Sequence, residues 1–185
     1  SANSMKFTPS GETNNQNLFY TPLAGSRAGD IGSVGSYLSS LLDASAAEYR
    51  GNSKTNEYAR STYYTIDDSD AGSNLGIIAP TEPHHLVSFE ENHLTLAEAG
   101  MRSEGFGTGL THLNEFRAWL NDGGRLNGNF SDSTYLYEPY DAADFAAGGM
   151  ENADNVSDDR ALLREIIEER YVSCFGQFTP FDDAR

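Results

Sequence analysis

Residues 85–102 read HLVSFEENHLTLAEAGMR, and the fold turns on how this stretch is read. Leu86, Phe89, His93, Leu96, Ala97 and Gly100 recur at steps of three and four, which places them on one face of a helix. Glu90, Glu91, Thr95 and Glu98 fall mostly on the other sides. Ala97 and Gly100 are small enough to admit a second helix at close range. That helix follows at once: Thr108 is placed to cap it, Leu110, Leu113, Phe116 and Leu120 repeat at the same spacing, and Gly123-Gly124 stops it. A connection as short as Ser103–Gly107 predicts an antiparallel helical hairpin.

Outward from the hairpin the periodicity weakens. On the C-terminal side, Arg125–Asn155 reads as a long loop carrying Phe130, Tyr135, Tyr137, Tyr140 and Phe145 among Asn127, Asn129, Asp132, Asp141 and Asp144. Exposed aromatic faces pack against the apolar C–H side of a pyranose, and amides and carboxylates bind its hydroxyls. Tyr135, Tyr137 and Tyr140 are therefore the expected stacking platforms, with Asn127, Asn129 and Asp141 as hydrogen-bonding partners. The alternative is that these tyrosines pin the loop onto the helices. Ser157 then caps a last helix, with Asp158 and Asp159 favourable to its dipole and Leu163, Ile166, Ile167, Arg170, Tyr171, Cys174 and Phe175 as its buried stripe. Arg170 is expected to pair with a carboxylate on the hairpin, and Cys174 to be a small buried apolar group.

On the N-terminal side, residues 1–84 form a loop-rich segment with one helix, Ile31–Leu42, whose Val34, Leu38, Leu41 and Leu42 share a side. Gly51-Asn52 marks a turn, and STYYTI at 61–66 has the composition of a short strand. DDSDAGSN at 67–74 offers oxygens of the kind calcium takes, but it lacks the downstream bidentate glutamate of an EF-hand and reads as a solvated acidic turn. No cofactor or metal is expected, calcium being the one ion these residue types leave open.

The formal charge is −16 over 185 residues, with 12 Lys and Arg against 28 Asp and Glu. Such a surface lacks the cations that displace counterions from nucleic acid or anionic lipid. Neutral ligands, cations and basic proteins remain. Phosphate loops, HExxH spacing and G-x-S-x-G elbows are all missing. His84-His85 point apart at a helix start, and paired carboxylates of the glycosidase type are not singled out. No apolar run approaches a membrane span.

Two segments carry a resemblance. EENHLTLAEAGMR followed by THLNEFRAWLNDGG (90–102 and 111–124) resembles the helix pair of the SusD/RagB family, and ALLREIIEERYVSCFGQFTPFDDAR (161–185) is similar to that family's C-terminal segment. Val172, Ser173, Cys174 and Gly176-Gln177-Phe178 depart from the usual continuation. The resemblance implies a mainly α fold of tetratricopeptide-like helix pairs with long ligand-binding loops, the C-terminal fragment of a larger α protein, with residues 85–185 as one domain. It further implies a non-enzymatic outer-membrane lipoprotein of Bacteroidetes that captures glycans at the cell surface for a TonB-dependent transporter of the SusC type. A helical-repeat interaction module, a peptide-binding lipoprotein and a secreted glycoside hydrolase are the alternatives.

Overall fold

The computed structural model describes residues 5–10, 12, 15–20, 23, 29–67, 74–130, 135–177 and 179–180. The chain is mainly helical: β1 (Met5–Phe7), α1 (Tyr37–Leu42), β2 (Thr55–Asn56), α2 (Tyr58–Tyr64), β3 (His84–Val87), α3 (Phe89–Glu104), α4 (Phe106–Asn121), a 3-10 turn (Gly128–Phe130), β4 (Leu136–Tyr137), α5 (Ala142–Phe145) and α6 (Asp158–Ser173). The described residues divide into two compact units, one of residues 5–86 and 123–136, the other of 87–122 and 137–185. The expectation divides the chain at 84/85, whereas the first of these junctions falls at 86/87. It does not foresee that residues 123–136 group with the N-terminal part.

In the unit of residues 87–122 and 137–185, the hairpin begins later than the sequence suggests. His84–Val87 is a strand paired with β1, so Leu86 is no part of the helix and is 44% exposed. Ser88 caps α3, accepting from the Glu91 N–H at 3.1 Å, and Glu90 and Glu91 sit where the helix dipole favours negative charge. The buried face is Glu90, Leu94, Ala97, Gly100 and Met101, which keeps Ala97 and Gly100 of the expected stripe and leaves Phe89 and His93 half-buried. Leu96 stays 43% exposed. The small-residue expectation holds: a Cβ on Gly109 of α4 would lie 2.7 Å from the Met101 Cβ and 3.3 Å from the Ala97 carbonyl.

The turn between α3 and α4 is one residue. Gly105, at φ 98 and ψ −177, donates to the Gly100 carbonyl and is also the first flanking residue of α4. A side chain there would be strained, so the five-residue loop and the Thr108 cap give way to a single glycine, with Thr108 inside α4. The α4 helix ends before Gly123, whose φ is 94, as expected. The Ser157 cap of α6 is also present, accepting from the Arg160 N–H. The expected stripe of α6 holds in part: Ile166, Arg170 and Cys174 are buried, joined by Leu162, Glu165, Glu169 and Ser173, while Ile167 is 37% exposed. Arg170 pairs with Glu98 of α3 at 2.6 Å, as its position on the stripe implies. Leu94, Leu113, Phe116, Phe145, Leu162 and Ile166 are wholly buried and form this core.

In the unit of residues 5–86 and 123–136, α1 is shorter than Ile31–Leu42. Ser36 caps it, Leu38, Leu41 and Leu42 are buried, and Val34 is 74% exposed. The STYYTI stretch is helical, not a strand. Ala59, Arg60, Tyr63 and Tyr64 bury one helical face, and Glu57, wholly buried before the helix, meets Arg50 at 3.3 Å and Arg60 at 3.6 Å. Burial of this face and of the charge cluster overrides the β preference of Thr, Tyr and Ile. The turn expected at Gly51-Asn52 is centred two residues later, where Asn52 and Thr55 exchange backbone hydrogen bonds. Most of the acidic stretch 67–74 lies outside the described residues.

Candidate binding cleft

The segment expected to present sugar-stacking tyrosines faces inward instead. Tyr137 and Tyr140 are 2% and 3% exposed, and Phe130 and Phe145 are buried too. Three polar residues of α4 at helical spacing, Asn114, Arg117 and Asn121, draw this segment in. Asn114 holds both backbone groups of Tyr140, accepting from its N–H at 2.8 Å and donating to its carbonyl at 2.9 Å. Arg117, wholly buried, donates to the Glu138 carbonyl at 2.8 Å, and its guanidinium lies 3.7 Å from the Tyr140 ring centre and 5.9 Å from that of Tyr137. Asn121 accepts from the Tyr137 N–H. The tyrosine faces are occupied by a cation and by core, so neither ring is open to a pyranose. Asp141 is exposed but caps α5, accepting from the Ala143 N–H, while Asp144 accepts from the Asp141 N–H in a reciprocal capping box.

The other three expected residues lie in the second unit and stand close together. Tyr135 is half-buried and donates its hydroxyl to the Phe130 carbonyl at 2.7 Å. Asn127 uses its whole amide: Nδ2 donates to the Leu75 carbonyl at 2.9 Å and to the Glu82 carboxylate at 2.6 Å, and Oδ1 accepts from the Asn129 N–H at 2.9 Å. It is a support, not a ligand contact. Asn129 is exposed and lines a cleft.

That cleft has a volume of about 460 Å³, within the usual size of small-molecule sites. One wall is α2, presenting Tyr58, Ser61 and Thr62, with Thr65 just beyond the helix. The opposite side is Leu75 with Asn129 and Phe130. Helical spacing explains the first wall, since positions 58, 61, 62 and 65 share the face of α2 opposite to the buried Ala59, Arg60 and Tyr63. Tyr58 is 70% exposed and Leu75 56% exposed, giving one open aromatic face and one aliphatic contact. The Thr62 hydroxyl donates to the Tyr58 carbonyl and the Thr65 hydroxyl to the Ser61 carbonyl, which leaves their oxygens able to accept. At the base, Asn74 is spent on the Asp67 backbone, accepting its N–H and donating to its carbonyl. No Lys or Arg lines the cleft, and Asp67 is its one carboxylate among the described residues.

Glycine places the Leu75 side. Gly76 packs so close to the end of α2 that a Cβ would lie 1.9 Å from the Tyr63 carbonyl, to which Ile77 donates. Behind the wall, Glu82 is 5% exposed and accepts from the Tyr63 hydroxyl at 2.8 Å as well as from Asn127. Burial raises its carboxyl above the usual range, against the lowering effect of the Asn127 and Tyr63 bonds and the Arg125 and Lys6 charges. The Tyr63 hydroxyl is pushed well up, chiefly by burial.

His84 and His85 are neighbours on β3 and not at a helix start. His84 stands edge-on to Phe19, His93 stacks on Phe89 at 3.9 Å, and His112 meets Glu115. No group of three His, Cys, Asp or Glu is placed to hold a metal among the described residues. Cys174 is buried, and no described helix is long and apolar enough to cross a membrane. The α2 wall was hidden in the sequence by the strand reading of STYYTI. Tyr58, Ser61, Thr62 and Thr65 at steps of three, one and three were the signal. No family model, curated protein or solved structure matches the chain.

Proposed function

We propose that this chain captures neutral oligosaccharides without cleaving them, and that the α2 cleft is where the sugar sits. The observation that carries the reading is the lining of the cleft: one open tyrosine face, one aliphatic contact, hydroxyls and an amide, with no Lys or Arg among the described lining residues. Tyr58 supplies the stacking platform, Leu75 extends it, and Thr62, Thr65 and Asn129 meet ring hydroxyls. Among the described residues the lining holds one carboxylate, Asp67, whereas glycoside cleavage uses a pair.

The wider role we propose is that of a SusD-like cell-surface lipoprotein passing its cargo to a SusC-like TonB-dependent transporter. The resemblance of residues 90–102, 111–124 and 161–185 supports this. So does the hairpin, whose α3 is joined to α6 by the Arg170–Glu98 pair, linking the two stretches that carry the resemblance. In this reading the α3–α4 hairpin is a tetratricopeptide-like pair serving as scaffold.

A glycan array followed by calorimetry, with and without calcium, tests the proposal. Binding that leaves the sugar intact and is lost in Tyr58→Ala, with the thermal transition unmoved, is the expected result. Silence across the array sinks it. A stable complex with the transporter alongside that silence would favour the interaction-module reading, for which Met5 and Leu86, exposed on paired strands, are the apolar contacts on offer.

A further inference from the structure

We infer that Glu82 is the positioning residue of the cleft, holding the Asn127–Asn129 wall through its carboxylate and making the order of that wall depend on pH. Its bearing on ligand capture rests on the reading above, whereas the positioning itself stands on geometry. From the Tyr63 hydroxyl the bonds run to Glu82 Oε1 at 2.8 Å, then from Oε2 to the Asn127 amide at 2.6 Å. The same amide fixes the Leu75 carbonyl at 2.9 Å and accepts the Asn129 N–H at 2.9 Å. Leu75 and Asn129 are two of the three residues of this wall that line the cleft, with Phe130. Asn127 therefore converts the placement of one buried carboxylate into the placement of two lining residues. The Glu82 backbone is itself anchored, because the Asn17 amide donates to its carbonyl at 2.8 Å and to that of Ile77 at 3.1 Å.

Both carboxylate oxygens face donors, an arrangement that suits the ionised form. On protonation one oxygen becomes a donor itself. The Tyr63 hydroxyl can turn to accept that proton, but the Asn127 bond then loses its charge assistance. The groups set around Glu82 are Tyr63 of α2, Arg125 and Asn127 of the 123–136 segment, and Lys6 of β1. His84 and His85 on β3 feel the same Arg125 charge, so a pH series needs a variant that removes Glu82 alone. The raised carboxyl of Glu82 means that its charge, and with it the tight wall, is lost on acidification earlier than for an ordinary glutamate.

The test uses nuclear magnetic resonance on the full chain without ligand, so a silent glycan array would overturn the capture reading and leave this one standing. In the parent protein, the Asn127 side-chain amide and the Asn129 backbone amide are expected to titrate together, with a midpoint above the usual glutamate value. Glu82→Gln keeps the shape and removes the charge, so the shared titration should vanish while the histidine signals still move. Glu82→Ala should speed hydrogen exchange at the Asn129 amide on the order of tenfold, as for loss of a charge-assisted bond. The α6 amides serve as a control for global unfolding. A shared titration that persists in Glu82→Gln overturns the inference. Unchanged Asn129 exchange in Glu82→Ala does so equally.

Discussion

Replacing Asn114 by alanine removes both hydrogen bonds that hold the Tyr140 backbone against α4. A neutral hydrogen bond contributes about 0.5–1.5 kcal/mol net, and a partner left unsatisfied and out of water costs about 1–3 kcal/mol. Tyr140 is 3% exposed, so water cannot readily replace Asn114, although both bonds are only partly buried. The lower half of each range applies, and the two bonds together predict a loss of roughly 2–4 kcal/mol. At about 2–4 °C per kcal/mol for a chain of this size, the melting temperature should fall by roughly 4–16 °C. Asn114→Leu fills similar space without restoring either bond and should lose nearly as much, which separates hydrogen bonding from volume. Urea unfolding followed by the fluorescence of Trp119 reads the effect directly, because this single tryptophan lies on α4, 4.8 Å from Phe89 and 5.5 Å from Phe116. A loss below about 0.5 kcal/mol, the size of an ordinary surface change, would refute the view that α4 pins this segment.

Three further outcomes follow from the same geometry. Tyr137→Ala, at a site 2% exposed, should cost about 3–5 kcal/mol in denaturant unfolding; an unchanged transition would return that ring to the list of ligand contacts. Burial acts to raise the Glu98 carboxyl, but the bonds from Arg102 and Arg170 outweigh it and hold the group below its ordinary value. The Arg170 pair therefore stabilises at neutral pH, and that contribution should fade as acidification passes through the lowered value. Arg170→Met should flatten this acid limb, and an identical pH profile in the variant would count against the pair. His85, pushed down to about 4 chiefly by burial and further by Arg125, Lys6 and His84, stays neutral in the folded chain while its unfolded form protonates near 6.5. Its contribution is complete above pH 6.5 and is lost as pH falls towards 4, so a proton-resonance titration of His85 with a midpoint near 6.5 would contradict the burial described.

The legible parts of this chain were those set by local chemistry. Ser157 before two aspartates announces a helix start, Gly123-Gly124 announces a stop, and Ala97 and Gly100 announce a close helical approach; each works within a few residues of itself. Arg170 was also readable, because a cation on a buried stripe needs a carboxylate within reach. The two stripes read only in part, on α3 and α6, show the limit of periodicity: Ala97, Gly100, Ile166, Arg170 and Cys174 are buried as expected, and Leu96 and Ile167 are not. Leu96 and Leu94 are equally apolar, and only the surfaces packed against the helix decide which of them is buried. The segment around Tyr137 and Tyr140 failed for a related reason. Aromatic and amide residues have the same composition whether they face a sugar or a buried guanidinium, and Asn114, Arg117 and Asn121 lie well before the tyrosines they restrain.

The sequence by itself determined that α3, α4 and α6 are helices, that α4 stops before Gly123, and that the charge is strongly acidic. Capping, spacing and charge are properties of neighbouring residues and of their sum. Tertiary structure alone decided that residues 61–64 are helical, that Glu82 is buried, and that Tyr58, Leu75 and Asn129 line one cleft. Those outcomes rest on contacts between residues tens of positions apart, and burial against such partners outweighs the fraction of a kcal/mol that separates local conformational preferences.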